Sequence, residues 1–360
     1  MPDYQRIDTR TVEGARTAQR LIVLRDALSE IPPKTLDDNL LLATWNIRDF
    51  DKPTFGERSE EAIAYIAEII SRFDLVAVQE VYRDLKALDR VLTALGPFWK
   101  VIVSDTTEGD SGNDERMAFL YDSRKVRFGG LAGELVLPPV KTDGGSMAPA
   151  HQVWRSPYIC GFEAGWSRFM ICSVHILWGK KRAFGGKEPE DRIEEIRKVA
   201  RFLKQRTEDP FAWARNLILL GDFNIFSSNE NGAFGELTQT GEFTIPENHR
   251  AFVTNAARTK SYDQIAYRIQ EDRLGWTGRA GVFDYFKYVY TEDDVDLYKD
   301  AMGDSYHTNS RGQPRSDRSK RNYYKTYWRT HQMSDHLPLW VELDIDFSKR
   351  FLRRKLDGQA

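Results

Sequence analysis

Residues 216–225 read NLILLGDFNI. Four apolar residues, 217–220, run into Gly221, and the chain then presents Asp222 and Asn224. A short apolar run bounded by turn residues fits a strand covered on both faces. Two other stretches have the same shape. LLLATWNI (40–47) carries Asn46, and DLVAVQEV (74–81) carries Glu80, each one residue from its end. HLPLWVEL (336–343) has the reverse order, with Asp335 and His336 placed before the apolar run.

On either side of these runs, helices are expected over 12–30, 57–73, 84–95 and from Pro189 onward. In 57–73 Ile63, Ile66, Ile70 and Phe73 recur at helical spacing, as do Ile193, Ile196, Ala200 and Leu203 after Pro189. Further strands are expected at 98–103, 116–121, 152–162, 167–175 and 261–269. Several strands are neighbours with no helix between them, which points to mixed sheets with helices outside. No internal repeat or linker is evident, so one decorated domain over 40–346 is expected. It is preceded by a helical extension (1–39) and followed by a basic, frayed tail (347–360).

The 360 residues carry 52 Lys+Arg against 54 Asp+Glu, a formal charge of −2. A general coat of positive charge is excluded, but a local phosphate-binding patch is not. No apolar run reaches the ~18 residues a membrane span requires. The two cysteines, Cys160 and Cys172, exclude a disulfide scaffold and multi-cysteine metal sites. They read as small core residues. With no secretory-type apolar stretch at the start, the expected compartment is the cytoplasm.

The polar residues at strand ends carry the chemistry. An unpartnered polar group there costs roughly 2–7 kcal/mol on burial. Glu80, Asp222 and Asp335 on one sheet edge would repel unless a cation neutralised them. With Asn46 and Asn224 they form an oxygen-rich set suited to Mg2+, with Mn2+ as a substitute. His175 ends the apolar strand FMICSVH, and His336 follows Asp335. Asp263 and Glu115 are available as carboxylate partners that hold an imidazole in one tautomer.

The strings TWNIRDF, VAVQEV, ERMAFLYD, WRSPY, SVHILWG, LLGDFNI, SYDQIAYR and MSDHLPLW occur in this order. Together they resemble the endonuclease/exonuclease/phosphatase superfamily over about residues 40–343, and its deoxyribonuclease I-like branch in particular. The resemblance implies an α/β (α+β type) four-layer sandwich: two packed mixed β-sheets flanked by helices. It also implies an Mg2+-dependent endonuclease that cuts DNA to 5′-phosphate and 3′-hydroxyl ends. Asn46, Glu80 and Asp335 would bind metal. Asp222 and Asn224 match the central GDxN pair, Asp263 orients His336, and Glu115 partners His175. The base is either His336 with Asp263, or Asp222. Arg155 would touch a phosphate, and Arg83 lies near a groove-contacting arginine.

RGQPRSDRSKRNYYKTYWRTHQ (311–332) belongs to an insertion at about 281–332. It holds seven Lys/Arg between 311 and 329 against one acid. Tyr323, Tyr324 and Trp328 are interleaved with these cations, a composition used to grip nucleic acid. The expectation here is a long loop, either at the substrate or packed on the sandwich. The loop at 106–114, before Glu115, reads as a flexible turn. The expected partner is nucleic acid, DNA first, with no membrane and no obligate protein partner. The competing readings are a hydrolase of lipid or small phosphoesters and a non-catalytic nucleic-acid-binding module.

Overall fold

A computed structural model describes residues 2–358 apart from 53, 55, 107–113, 142–144, 149, 179–188, 227–231 and 272. Most of the 106–114 turn therefore lies outside the described residues. The chain opens with α1 (Val12–Ala27), capped by the Thr11 hydroxyl, which accepts from the Gly14 N–H. β1 (Asn39–Phe50), α2 (Glu60–Ser71), β2 (Leu75–Tyr82), α3 (Lys86–Leu95), β3 (Trp99–Val103) and β4 (Glu115–Asp122) follow. Next come β5 (Arg127–Glu134), a small hairpin of β6 (Val140–Lys141) and β7 (Met147–Ala148), β8 (Tyr158–Ala164) and β9 (Ser167–His175). After α4 (Glu190–Glu208) come β10 (Leu217–Asp222), α5 (Ala233–Gly235), β11 (Asp263–Arg268) and β12 (Gly275–Val282).

Among the described residues the six-stranded sheet runs β12-β13-β1-β2-β4-β3, where β13 is Leu339–Asp344. The five-stranded sheet runs β11-β10-β9-β8-β5. Both are mixed: β1 is parallel to β2 and antiparallel to β13, and β10 is parallel to β9 and antiparallel to β11. This is the two-sheet sandwich expected. The period-2 alternation of strands, with both faces covered, explains why residues 40–43 of β1 are apolar at successive positions. Leu40 and Leu42 join the core between the sheets, with Phe162, Ile171, Ile218 and Leu220. Leu41, Ala43, Trp45 and Ile47 face the other way, into a core with α1, α2 and α3. α4 covers the far face of the five-stranded sheet through Ile196, Val199, Ala200 and Leu203. Cys160 and Cys172 are buried free thiols, as expected.

Three expectations need correction. The strand expected over 152–162 starts at Tyr158, and residues 152–157 form a loop that carries Arg155. The tail is not frayed throughout: Ser348–Leu356 form a helix whose Phe351 ring meets Trp166 at 5.4 Å. The insertion is not a loop. After α6 (Lys299–Met302) and α7 (Asp304–His307), α8 (Asp317–Tyr323) continues through a π-helical turn at Tyr324–Trp328 into α9 (Arg329–Gln332). Its aromatics close the core beside α1 and α2. Tyr324 is 1% exposed, stacks on Tyr298 at 6.3 Å and donates its hydroxyl to the Thr291 carbonyl at 2.9 Å. Trp328 packs on Tyr298 and Tyr290, at 5.1 and 5.7 Å. Tyr324 is thus a core residue and Trp328 a packing residue, because this core needs an aromatic cover. Tyr323 is half-buried, stacked on Tyr327 at 5.3 Å beneath the Arg315 guanidinium.

Candidate active site

Strand direction and register place the polar residues in one row. Parallel strands contribute their C-terminal ends and antiparallel partners their N-terminal ends, so all meet at one edge of the sandwich. Asp222 is paired with His175 on β9 and with Asp263 on β11. Tyr82, just past Glu80, is opposite Glu115. The pairing of β10 with β9 depends on Gly221, at φ +131°, where a Cβ would lie 2.1 Å from the Val174 carbonyl oxygen.

Glu80 sits at an irregularity in β2. Its φ is +61°, and the register with β4 slips between Val78 and Val81. Such bulges re-aim a side chain. Here the turn sends the carboxylate to the site, where Oε2 accepts the Asp49 N–H at 2.7 Å and Oε1 accepts from Asn46 Nδ2 at 2.9 Å. Burial, with the Glu115 and Asp335 charges, pushes Glu80 above the usual carboxylate range, against the pull of His175 and the Asp49 N–H.

Asn46 is fully buried and also donates to Asp222 Oδ2, at 3.0 Å. Both of its N–H groups are thus engaged, and its buried Oδ1 has no hydrogen-bond partner. Asn46 therefore offers the site an oxygen rather than a donor. Asn224, at φ +54°, donates its N–H to Asp222 Oδ1 and its side-chain amide to the Ile176 carbonyl, both at 2.8 Å. It holds Asp222 and the end of β9.

Two histidine–carboxylate pairs flank Asp222. His336 Nδ1 is 2.8 Å from Asp263 Oδ2, and His175 Nδ1 is 3.2 Å from Glu115 Oε2. Each histidine directs Nε2 at Asp222 Oδ2, and both distances are 3.7 Å. Burial disfavours the imidazolium of His336, but Asp263, Asp222 and Asp335 outweigh it and raise its pKa well above the usual value. For His175, burial and the Arg155 charge oppose protonation, while Glu115 and Asp222 prevail and the pKa is raised. Arg155 Nε donates to the same Glu115 Oε2 at 3.1 Å.

The other expected residues lie at the rim. Asp335 keeps its side chain 46% exposed, 3.9 Å from Arg48 Nε, while its carbonyl accepts the Ala256 N–H at 2.7 Å. Arg83 is 59% exposed and pairs with Asp114 at 3.3 Å, outside the cluster. The corner of His336 is fixed through its main chain. Its carbonyl accepts from Trp45 Nε1 at 3.0 Å and from the Tyr285 hydroxyl at 2.8 Å.

Four residues escaped the sequence reading. Gln79 lies beneath Glu80 and bridges the two sheets, donating to Ser173 Oγ at 2.9 Å. Arg192, 0% exposed, donates to the carbonyls of Leu177, Trp178 and Asn224. It staples the segments that follow His175 and Asp222. Glu195, one turn further along α4, accepts N–H groups from Trp154 and Leu177, and burial pushes its pKa up to about 7. Tyr262 carries its ring 5.5 Å from the His336 ring. Tyr262 alone had a local signal, since it directly precedes Asp263 in SYDQI.

Two locations could accept a cation. Glu80, Asn46 Oδ1 and the open side of Asp335 form one. Asp222, Asp263 and His336 offer ligand atoms within 4.8 Å of one another and form the other. In the second, His336 Nδ1 and Asp263 Oδ2 already share a hydrogen bond, so the first suits a hard ion better. The orphaned Asn46 oxygen is what a cation there would satisfy.

No family model matches the chain. A protein of Thioalkalivibrio sp. (strain K90mix) named "Deoxyribonuclease" is 29% identical over 261 residues, which is 71% of this chain and 64% of that protein. The match therefore spans less than two thirds of that relative. A crystal structure of an endonuclease/exonuclease/phosphatase from Bacteroides vulgatus aligns with TM-score 0.50 at 16% identity, over 87% of this chain and 100% of that one. A protein of unknown function from Enterococcus faecalis V583 aligns with TM-score 0.51 at 16% identity, over 85% and 100%. At such identity the structures establish a shared fold.

Proposed function

We propose that this chain, which has the fold of the endonuclease/exonuclease/phosphatase superfamily, is a metal-dependent phosphodiesterase acting as a DNA endonuclease. One observation carries the reading. Two histidines, each held by its own carboxylate, face Asp222 Oδ2 from two sides at 3.7 Å, beside a buried oxygen set at Glu80 and Asn46. A carboxylate that can take a proton and imidazoles that can give one are then grouped at one centre, as acid–base hydrolysis of a phosphodiester requires. The relative named a deoxyribonuclease supports DNA as the substrate.

Glu80, Asn46 Oδ1 and Asp335 would hold Mg2+, or Mn2+ in its place; when bound, it supplies positive charge to the oxygens of the scissile phosphate. The remaining steps belong to the chain's own side chains. The attacking water gives its proton to Asp222, beside the His336 imidazolium that Asp263 holds in place. The water oxygen bonds to phosphorus as the bond to the 3′ oxygen breaks. His175, whose hold on a proton Glu115 and Asp222 strengthen, protonates that leaving oxygen. Arg155 lies beside Glu115, where it can meet a non-bridging oxygen. The products are a 5′-phosphate and a 3′-hydroxyl.

Supercoiled plasmid incubated with Mg2+ tests this. The expected result is nicking that EDTA abolishes and that leaves ends a ligase can seal. No cleavage of DNA under any divalent metal would overturn the nuclease reading.

A further inference from the structure

Trp178 lies three residues beyond His175 and is 54% exposed. A single exposed aromatic is ordinary on a protein surface. Trp178 differs in how it is held. Its carbonyl accepts from the buried Arg192, whose guanidinium lies 5.5 Å from the Trp178 ring and 4.5 Å from the Phe226 ring. The indole meets Tyr262 edge-on at 5.4 Å, and Tyr262 contacts His336 at 5.5 Å. The exposed indole is therefore fixed two ring contacts from a histidine of the reacting centre. Lys260 Nζ sits 4.4 Å over Phe226, placing a cation on the same rim.

A rigid exposed ring with a cation beside it is what a nucleotide outside a duplex can use: the base stacks and the phosphate meets the charge. Burying the base face against an ordered ring also avoids much of the entropy lost when a mobile side chain is immobilised. We propose that Trp178, carried on Tyr262 and locked by Arg192, is a stacking subsite for an unpaired nucleobase next to the scissile phosphodiester. The subsite rests on the nuclease reading and adds a preference to it. A base must leave its own stack to occupy the indole, so single-stranded or frayed DNA is the favoured substrate.

The test compares a single-stranded oligodeoxynucleotide with an oligomer of equal length built from base-free tetrahydrofuran phosphodiesters. Each is cleaved by wild type, Trp178→Ala and Trp178→Phe, with matched melting temperatures showing intact folding. Trp178→Ala is expected to lower kcat/KM on the base-bearing strand by about 5- to 150-fold, chiefly through KM. It should also compress the ratio of kcat/KM between the two polymers, and Trp178→Phe should restore much of that ratio. If wild type cleaves both polymers equally, or Trp178→Ala leaves their ratio unchanged, the subsite is overturned and the nuclease reading stands. If wild type cleaves neither, the nuclease reading falls and the subsite falls with it.

Discussion

Glu195→Gln replaces a carboxyl that is 4% exposed on α4, behind the Arg155 loop. Burial moves this group from the usual value of 4.5 to about 7, although the Trp154 and Leu177 N–H groups, Arg155 and His175 all pull it back. The folded state thus holds its proton more tightly than the unfolded chain does. Stability from this group is complete below about pH 4.5 and is lost as pH rises through 7. A displacement of that size corresponds to about 3 kcal/mol, fully expressed by pH 8. Glutamine keeps an oxygen for the two N–H groups, and its amide can reach the adjoining cavity of about 280 Å³. The variant should therefore match wild type at pH 5 and exceed it at pH 8. For a chain of this length the gain at pH 8 is about 4 °C in Tm. Thermal melts of both proteins across pH 5–8 read this directly. A pH-independent difference, or a loss at pH 8, would refute the argument that burial dominates at Glu195.

Two further outcomes follow from the same structure. His249 is buried against Trp276 and Phe252, and burial lowers its pKa to about 4. Wild type should lose about 3 kcal/mol as pH falls from 6.5 to 4, and His249→Phe should flatten that limb in urea titrations. Tyr324→Phe deletes the hydroxyl bond to Thr291 and should cost about 1 kcal/mol of stability. It should leave kcat/KM on DNA unchanged, as befits a core residue.

The legible part of this molecule is the part with local signatures. β1, β2, β9 and β10 are buried on both faces, so their apolar runs stand out, and the polar residues that end them mark the site. The two long strands that went unread, β5 and β12, are sheet edges. RFGGLAGE and GWTGRAGV are rich in glycine and have no fully buried residue, which removes the apolar signal a covered strand shows. The insertion reads as a loop because its many cations and polar residues mask the four-residue spacing of Tyr323/Tyr327 and Tyr324/Trp328, pairs that stack at 5.3 and 5.9 Å. Arg192 and Glu195 flank the apolar face of α4 and look like surface residues in sequence. Their burial depends on loops that fold back from β9 and β10, and no local pattern encodes that.

The His336–Asp263 and His175–Glu115 pairs are proposed to act on one reacting centre around Asp222. The most direct measurement is kcat for plasmid nicking by His336→Ala, Asp263→Asn, His175→Ala and Glu115→Gln, together with the double variants within each pair. Each histidine variant should lose about 10²- to 10⁴-fold. Within each pair the double variant should be little worse than the histidine variant alone, because the carboxylate works through the ring it holds. Wild-type kcat in either histidine variant, or fully additive losses within a pair, would contradict the account.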